Sequence, residues 1–190
     1  MASHDAKLGK GYDGESGMFF HAPAGTALPA YPLQTLAAAW EAVGDVSSDG
    51  ITLTLDKSTE NLRNWANKLK RVILTEHAET IQAPIMDTTQ ASLETVLGDG
   101  STTVIPATTG HGELVKASLT QAALPPEEAY LFIMKDEDDA IAIGCQYGQI
   151  TAMESVTFAP GATINWTPTI AALQDGWQII LDDGQVDSDS

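Results

Sequence analysis

The sequence predicts a mostly β protein, built from antiparallel strands with one short helix. Three observations carry that expectation. Apolar and polar residues alternate in two early runs: Ile51, Leu53 and Leu55 oppose Thr52 and Thr54, and a second run from Arg71 carries Val72, Leu74, His77, Ile81 and Ile85. A period near two is what a strand with one buried face requires. Only residues 87–97 combine a capping acid, helically spaced apolar residues and a glycine stop. Beyond Gly98 the chain is a succession of short strand-like runs separated by Gly, Pro or acidic turns.

In chain order, residues 1–35 read as an N-terminal arm and irregular extended segment. Residues 1–17 are rich in Gly, Lys and Asp, and 21–35 hold three prolines. Met18, Phe19 and Phe20 are the anchors such an arm needs. Leu36–Trp40 suits one helical turn, and Trp40, Val43 and Val46 suit entry to a sheet edge. The cluster Ser47-Ser48-Asp49-Gly50 is a turn signal that predicts a hairpin into 51–55.

The polar stretch 56–70 admits two readings. Leu62, Trp65, Ala66 and Leu69 fall at helical spacing, which suits a short amphipathic helix. The same residues suit an extended loop or hairpin whose apolar side chains are covered only by another subunit. The next strand, 71–85, is long, and Pro84 belongs at its end, where a missing amide does no harm.

Asp87 is positioned to cap the helix, with Gln90 as its reciprocal partner and Leu93, Val96 and Leu97 as the buried face. Strands are expected at 102–105, 113–119, 130–135, 140–145, 150–158, 162–171 and 176–181. The run Asp136, Glu137, Asp138 and Asp139 joins two of them and must be solvated, because four clustered carboxylates repel one another and resist desolvation. The main domain is therefore 36–181, followed by an acidic tail at 182–190.

At 190 residues the chain suffices for one substantial core. Its net charge of -17 is uneven: residues 1–100 hold thirteen acids and seven bases, and 101–190 hold thirteen acids and two bases. Such a surface repels phosphate backbones and argues against a nucleic-acid binder. Cys145 sits among apolar strand residues and reads as a core side chain. The N-terminal residues lack a signal-peptide pattern and no window approaches eighteen apolar residues, so no direct membrane insertion is expected.

Chemistry finds no foothold in the pattern. His4, His21, His77 and His111 are scattered outside any metal-ligand spacing, and the 136–139 acids lack the glycine and glutamate of a calcium loop. There is no phosphate-binding glycine loop and no nucleophile elbow. No catalytic residue, metal or cofactor is expected. Trp40, Trp65, Trp166 and Trp177 suit packing or interfaces better than base stacking.

One feature stands out on so acidic a chain. Lys57, Arg63, Lys68, Lys70 and Arg71 surround Trp65, and together they suit a head-to-tail contact with acidic residues such as 136–139 of another copy.

Four stretches together resemble the major tail (tail tube) proteins of bacteriophages with long, non-contractile tails: WEAVGDVSSDGITLTL at 40–55, NLRNWANKLKR at 61–71, ILTEHAETIQAPIMDTTQASLETVLG at 73–98, and AIAIGCQYGQITAMESVTFAPGATINWTPTIAAL at 140–173. The resemblance implies two packed antiparallel sheets flanked by a helix. It implies six subunits in a ring whose inner sheets join as a barrel, with rings stacked into a tube that conducts DNA without binding it specifically. The segment 56–70 becomes a stacking loop, and residues 1–35 become a candidate contact between rings. Glu76, Glu79 and Glu154, on strands expected to form the barrel wall, become the candidate lumen-facing acids.

The implied partners are the tape-measure, tail-tip and tail-terminator proteins, and the implied location is the virion tail, assembled in the host bacterial cytoplasm. Two other readings stay open. One is the inner tube of a contractile or secretion-type system. The other is a monomeric β-rich carbohydrate-binding module or enzyme presenting Trp40, Trp166 or Trp177.

Overall fold

A computed structural model describes residues 10–11, 19–120, 124–136 and 139–182. Eleven strands occur among them: β1 (Lys10–Gly11), β2 (Phe19–Pro23), β3 (Glu41–Gly44), β4 (Thr52–Arg63), β5 (Leu69–Gln82), β6 (Thr102–Ile105), β7 (Leu114–Ala117), β8 (Glu128–Asp136), β9 (Asp139–Met153), β10 (Pro168–Ala172) and β11 (Gln178–Asp182). One helix, α1 (Gln90–Leu97), lies between β5 and β6. The fold is mostly β with two antiparallel sheets and one short helix, as expected.

The larger sheet has nine strands in the order β3-β2-β8-β9-β10-β5-β4, with β1 joined to β8 and β11 to β9. Its organising element is β9, which belongs to two leaves. Residues 140–144 of β9 pair with β11, and 148–153 pair with β10. The first leaf is thus β3-β2-β8-β9-β11 and the second is β9-β10-β5-β4. The strands expected at 140–145 and 150–158 are one long strand that ends at Met153, and 154–158 are not strand; Gly148 carries the chain past Tyr130 and Cys145 where a Cβ would come within 2.8 Å of both.

Alternation decides what lies between the leaves. Phe19, Tyr130, Phe132 and Cys145 of the first leaf share one cluster with Ile81, Ile150 and Ile170 of the second. The opposite face of the first leaf, with Phe20, Ala22, Leu131, Ile133 and Ala142, is covered by Leu28, Leu36 and Trp40. Burial on both faces explains the continuous apolar run in β8. The smaller sheet is the pair β6-β7, beside α1.

Helix α1 buries Leu93, Val96 and Leu97, as its spacing requires. Its cap differs from the expected Asp87–Gln90 pair. Thr89 is the N-cap, and its side chain and that of Ser92 exchange hydrogen bonds with each other's amides. Asp87 instead accepts a 2.7 Å hydrogen bond from the Asp45 amide, fixing the exit of β3 to the approach to α1.

Three other expectations change. Residues 19–23 are a strand within the sheet, with Phe19 fully buried, where irregular extended chain was expected from residue 21. The Ser47–Gly50 turn forms, but it links β3 in the first leaf to β4 in the second and closes no hairpin. At 36–40 the one helical turn expected is a three-residue-spaced turn, Trp40 N–H to the Ala37 carbonyl at 2.9 Å. The remaining arm residues 1–9 and 12–18, and the tail from 183 onward, lie outside the described residues.

Candidate assembly site

The stretch 56–70 is neither helix nor irregular loop. It is the far end of a hairpin in which β4 runs to Arg63 and β5 starts at Leu69. Residues 54–72 are exposed throughout, and at about 3.3 Å per residue the portion beyond Leu55 projects roughly 26 Å. Asn64 organises the tip: its amide donates to the Lys68 carbonyl, its carbonyl accepts from the Asn67 amide, and its side-chain oxygen accepts from the Lys68 amide. Asn67 takes the left-handed conformation, which asparagine tolerates. The helical spacing of Leu62, Trp65 and Leu69 has no structural meaning here, because cross-strand pairing and the tip hydrogen bonds satisfy the backbone.

Paired residues share a face, so the register sorts the hairpin's side chains. One face, continuous with the core, carries Leu53 and Ile81, Leu55 and Glu79, Lys57 and His77, Thr59 and Leu74, Asn61 and Val72, then Arg63 and Leu69. The other carries Thr54 and Thr80, Asp56 and Ala78, Ser58 and Glu76, Glu60 and Ile73, then Leu62 and Arg71. A register shift between Ser58 and Thr59 leaves Thr75 as an extra residue, and its hydroxyl donates to the Ser58 carbonyl. That bulge is why the apolar spacing stretches from two to three between Leu74 and His77. It keeps Leu55, Leu69, Val72 and Leu74 on one face, all of them at least half exposed.

The structure brings Arg63, Trp65, Lys68, Lys70 and Arg71 to the hairpin end, with Trp65 fully exposed at the tip. Lys57 stands six residues behind Arg63 on β4, roughly 20 Å from the group. Arg63 donates to the Asn67 carbonyl at 3.1 Å and helps to hold the turn. Asp136 and Asp139 pair where β8 meets β9. Their side chains, and Glu137 and Asp138 altogether, lie outside the described residues.

Glu76 and Glu79 fall on opposite faces of β5. Glu79 points to the core side, where its carboxylate accepts from the Trp177 amide at 2.8 Å and sits 3.2 Å from His77 Nε2. It anchors the β10–β11 connection to β5. Glu79→Ala is expected to cost about 1–3 kcal/mol by orphaning that amide, measured by urea unfolding; a change below about 0.5 kcal/mol would contradict the anchor. Glu76 is exposed on the outer face. Glu154 is exposed just past β9, where its amide donates to the Thr167 carbonyl, and continuing the alternation from Ala152 carries it to the same outer face.

Of this outer face of the second leaf, sequence reading named only Glu76 and Glu154 as lumen-facing candidates. The face comprises Thr52, Thr54, Asp56, Ser58 and Glu60 of β4, Glu76, Ala78, Thr80 and Gln82 of β5, and Thr169 and Ala171 of β10, with Leu62, Arg71 and Ile73 toward the hairpin tip. Small and polar residues alternate with acids, and Arg71 near the tip is its only base among these ladders. The period-two pattern Asp56, Ser58, Glu60 was the available signal.

A second titratable group lies on the first leaf. His21 Nδ1 is 3.2 Å from Glu128 Oε2, and Nε2 is 3.9 Å from Glu41. Burial disfavours its charged form, but the Glu128 hydrogen bond and charge, with Glu41 and Asp99, outweigh this and raise its pKa. The contribution to stability is therefore full below about pH 6.5, the ordinary histidine value, and fades as pH rises through the higher folded value. The wild-type melting temperature should fall over that window relative to His21→Gln; parallel profiles would refute it. Burial also pushes the Cys145 thiol up to about 12, opposed by a hydrogen bond from the Tyr130 backbone, and leaves it inert.

Among the described residues no group of three His, Cys, Asp or Glu side chains is placed to hold a metal, and no helix is long and apolar enough to cross a membrane. A family model described as phage tail tube protein matches residues 14–180. The chain belongs to the phage tail tube protein family. Membership makes it a structural component of a larger phage tail assembly. No curated protein matches the sequence. Among solved structures, the tail tube chain is similar to the tube-terminating cap of the anti-feeding prophage, at 10% identity and a TM-score of 0.47, covering 96% of this chain and 100% of that one.

Proposed function

We propose that this tail tube protein is a passive conduit subunit without catalytic activity. Six copies form a ring, rings stack into a non-contractile tube, and DNA passes through the lumen during ejection. The observation that carries the reading is the outer face of the second leaf. Its small, polar and acidic residues repel phosphates and offer DNA few footholds, whereas a basic lining would retain it. Glu76 and Glu154 fit that lining. Glu79 is occupied on the core side and serves the wall's integrity.

Among the described residues the leaf also has two edges without a neighbouring strand, β4 and the 150–153 end of β9, which suit sheet closure between neighbouring copies. The projecting hairpin then reaches the next ring, and the tape-measure, tail-tip and tail-terminator proteins occupy the lumen and the two ends. Assembly takes place in the host bacterial cytoplasm, and the tube resides in the virion tail.

Negative-stain electron microscopy over a concentration series, with solution mass measurement, tests the proposal. Sixfold rings or hollow tubes are expected, with Glu76 facing the lumen in a reconstruction. A chain that stays monomeric even with tail-tip and tape-measure partners would sink it.

A further inference from the structure

The first leaf carries a cavity. It has a volume of about 380 Å³ and opens in the cover over the leaf's outer face, lined by Phe20, Leu33, Leu36, Trp40, Ala42 and Ile133. The lining contains no charged side chain. The backbone segment that forms its rim, 37–42, has a second pocket on its other side, and there Glu41, Asp99, Glu127 and Glu128 converge around His21. An uncharged hole, with Gln34 and Thr35 on its wall and Phe20, Trp40 and Ile133 in its floor, thus lies beside an acidic one.

The hairpin tip has the complementary form. Trp65 is fully exposed, with nothing among the described residues covering it. Five of the chain's nine basic residues lie on this hairpin, and Arg63, Lys68 and Lys70 are close to Trp65 in the chain at its tip. Tryptophan is the side-chain type that dominates interface energetics when its pocket is dry. A hairpin projecting roughly 26 Å is also long enough to leave its own core and meet another copy.

We infer that Trp65 of one copy seats in the Phe20–Leu36–Trp40–Ile133 cavity of a second copy, with Arg63, Lys68 and Lys70 facing the acids of the adjoining pocket. This deepens the proposed stacking by naming its receptor, and it rests on that reading. The contact is heterologous, so each copy offers one tip and one cavity, and the chain of contacts propagates. Charge complementarity selects this occupant: an acidic tip would be repelled by Glu41 and Glu127, whose side chains are exposed at the rim.

Cross-linking between separately labelled copies tests this directly. Ala66, beside Trp65 in the turn, and Ala38, on the cavity lining, are both exposed. Ala66→Cys and Ala38→Cys variants are mixed, assembled and treated with a short bis-maleimide; Cys145 is buried and can remain. A covalent dimer is expected at no less than about ten times the yield obtained with Ser48→Cys in place of Ala38→Cys, and Trp65→Ala in the Ala66→Cys copy should abolish the excess. Equal yields, or an excess that survives Trp65→Ala, would overturn the docking.

An adduct between Ala38→Cys and Ser3→Cys, with none to Ala66→Cys, would give the cavity to the N-terminal segment and also overturn it. Microscopy of the same samples separates the two proposals. Sixfold tubes without the adduct overturn the docking and leave the conduit standing, whereas the adduct in particles that are not tubes does the reverse.

Discussion

Phe132→Ala is expected to destabilise the subunit by about 3–5 kcal/mol, the range for truncating a buried aromatic side chain. Phe132 is 1% exposed and stacks on Phe19, its direct partner across the β2–β8 ladder, with ring centroids 4.5 Å apart and planes 7° from parallel. Trp177 covers the same ring at 6.2 Å. Three elements remote in sequence therefore lose their shared contact at once. Because a domain's net stability is about 5–15 kcal/mol, this substitution consumes a large share of it. For a chain of this length the melting temperature should fall by roughly 6–20 °C. Calorimetry reads the result, and a loss below about 1 kcal/mol would mean that the cavity collapses without penalty or that the stack is not formed.

The opposite behaviour is expected of the hairpin tip. Replacing Lys68, Lys70 and Arg71 together by glutamate changes the net charge from -17 to -23 and reverses the cationic end of the hairpin. All three side chains are exposed, so the melting temperature of the subunit should hardly move. Assembly should weaken by no less than about tenfold in the concentration it requires, equivalent to about 1.4 kcal/mol per contact. Wild-type assembly should also weaken with added salt, since screening acts on the same attraction. Lys57→Glu is the internal control: it lies well behind the tip and should have a smaller effect. Sedimentation and electron microscopy measure the outcome, and unchanged assembly in the triple variant would remove these residues from the contact.

The different character of the two predictions follows from how the apolar residues are used. Phe19, Tyr130 and Ile81 are covered within the chain, whereas Leu55, Leu69, Val72, Leu74 and Trp65 are held in register by pairing and then left open to water. A two-stranded hairpin by itself is marginally stable, and exposed apolar rows of this size mark a surface meant for a partner. The tip's side chains should therefore matter to the assembled state far more than to the monomer.

Some of this was legible in the sequence because it is written in neighbouring residues. The alternation at 51–55 and after Arg71, the helix face Leu93, Val96 and Leu97, the turn at 47–50 and the acidic imbalance are local patterns, and local patterns report strands, helices and charge directly. Clustering of bases around Trp65 was equally visible. The Thr89–Ser92 cap was readable too, but the more usual Asp87–Gln90 pairing competed for it; Asp87 was claimed instead by the Asp45 amide, 42 residues away in the chain.

By itself, then, the sequence determined a mostly β chain with one helix, its strand-rich second half, its acidity and its family likeness. Tertiary structure alone decided that β9 serves two leaves, that Glu76 and Glu79 part company across β5, that 19–23 joins the sheet, and that 56–70 is a hairpin with an apolar face. Each of these depends on which distant strand supplies the hydrogen-bond partner. A one-residue change of register moves a side chain to the other face of a sheet, and local spacing carries no record of the partner that sets it.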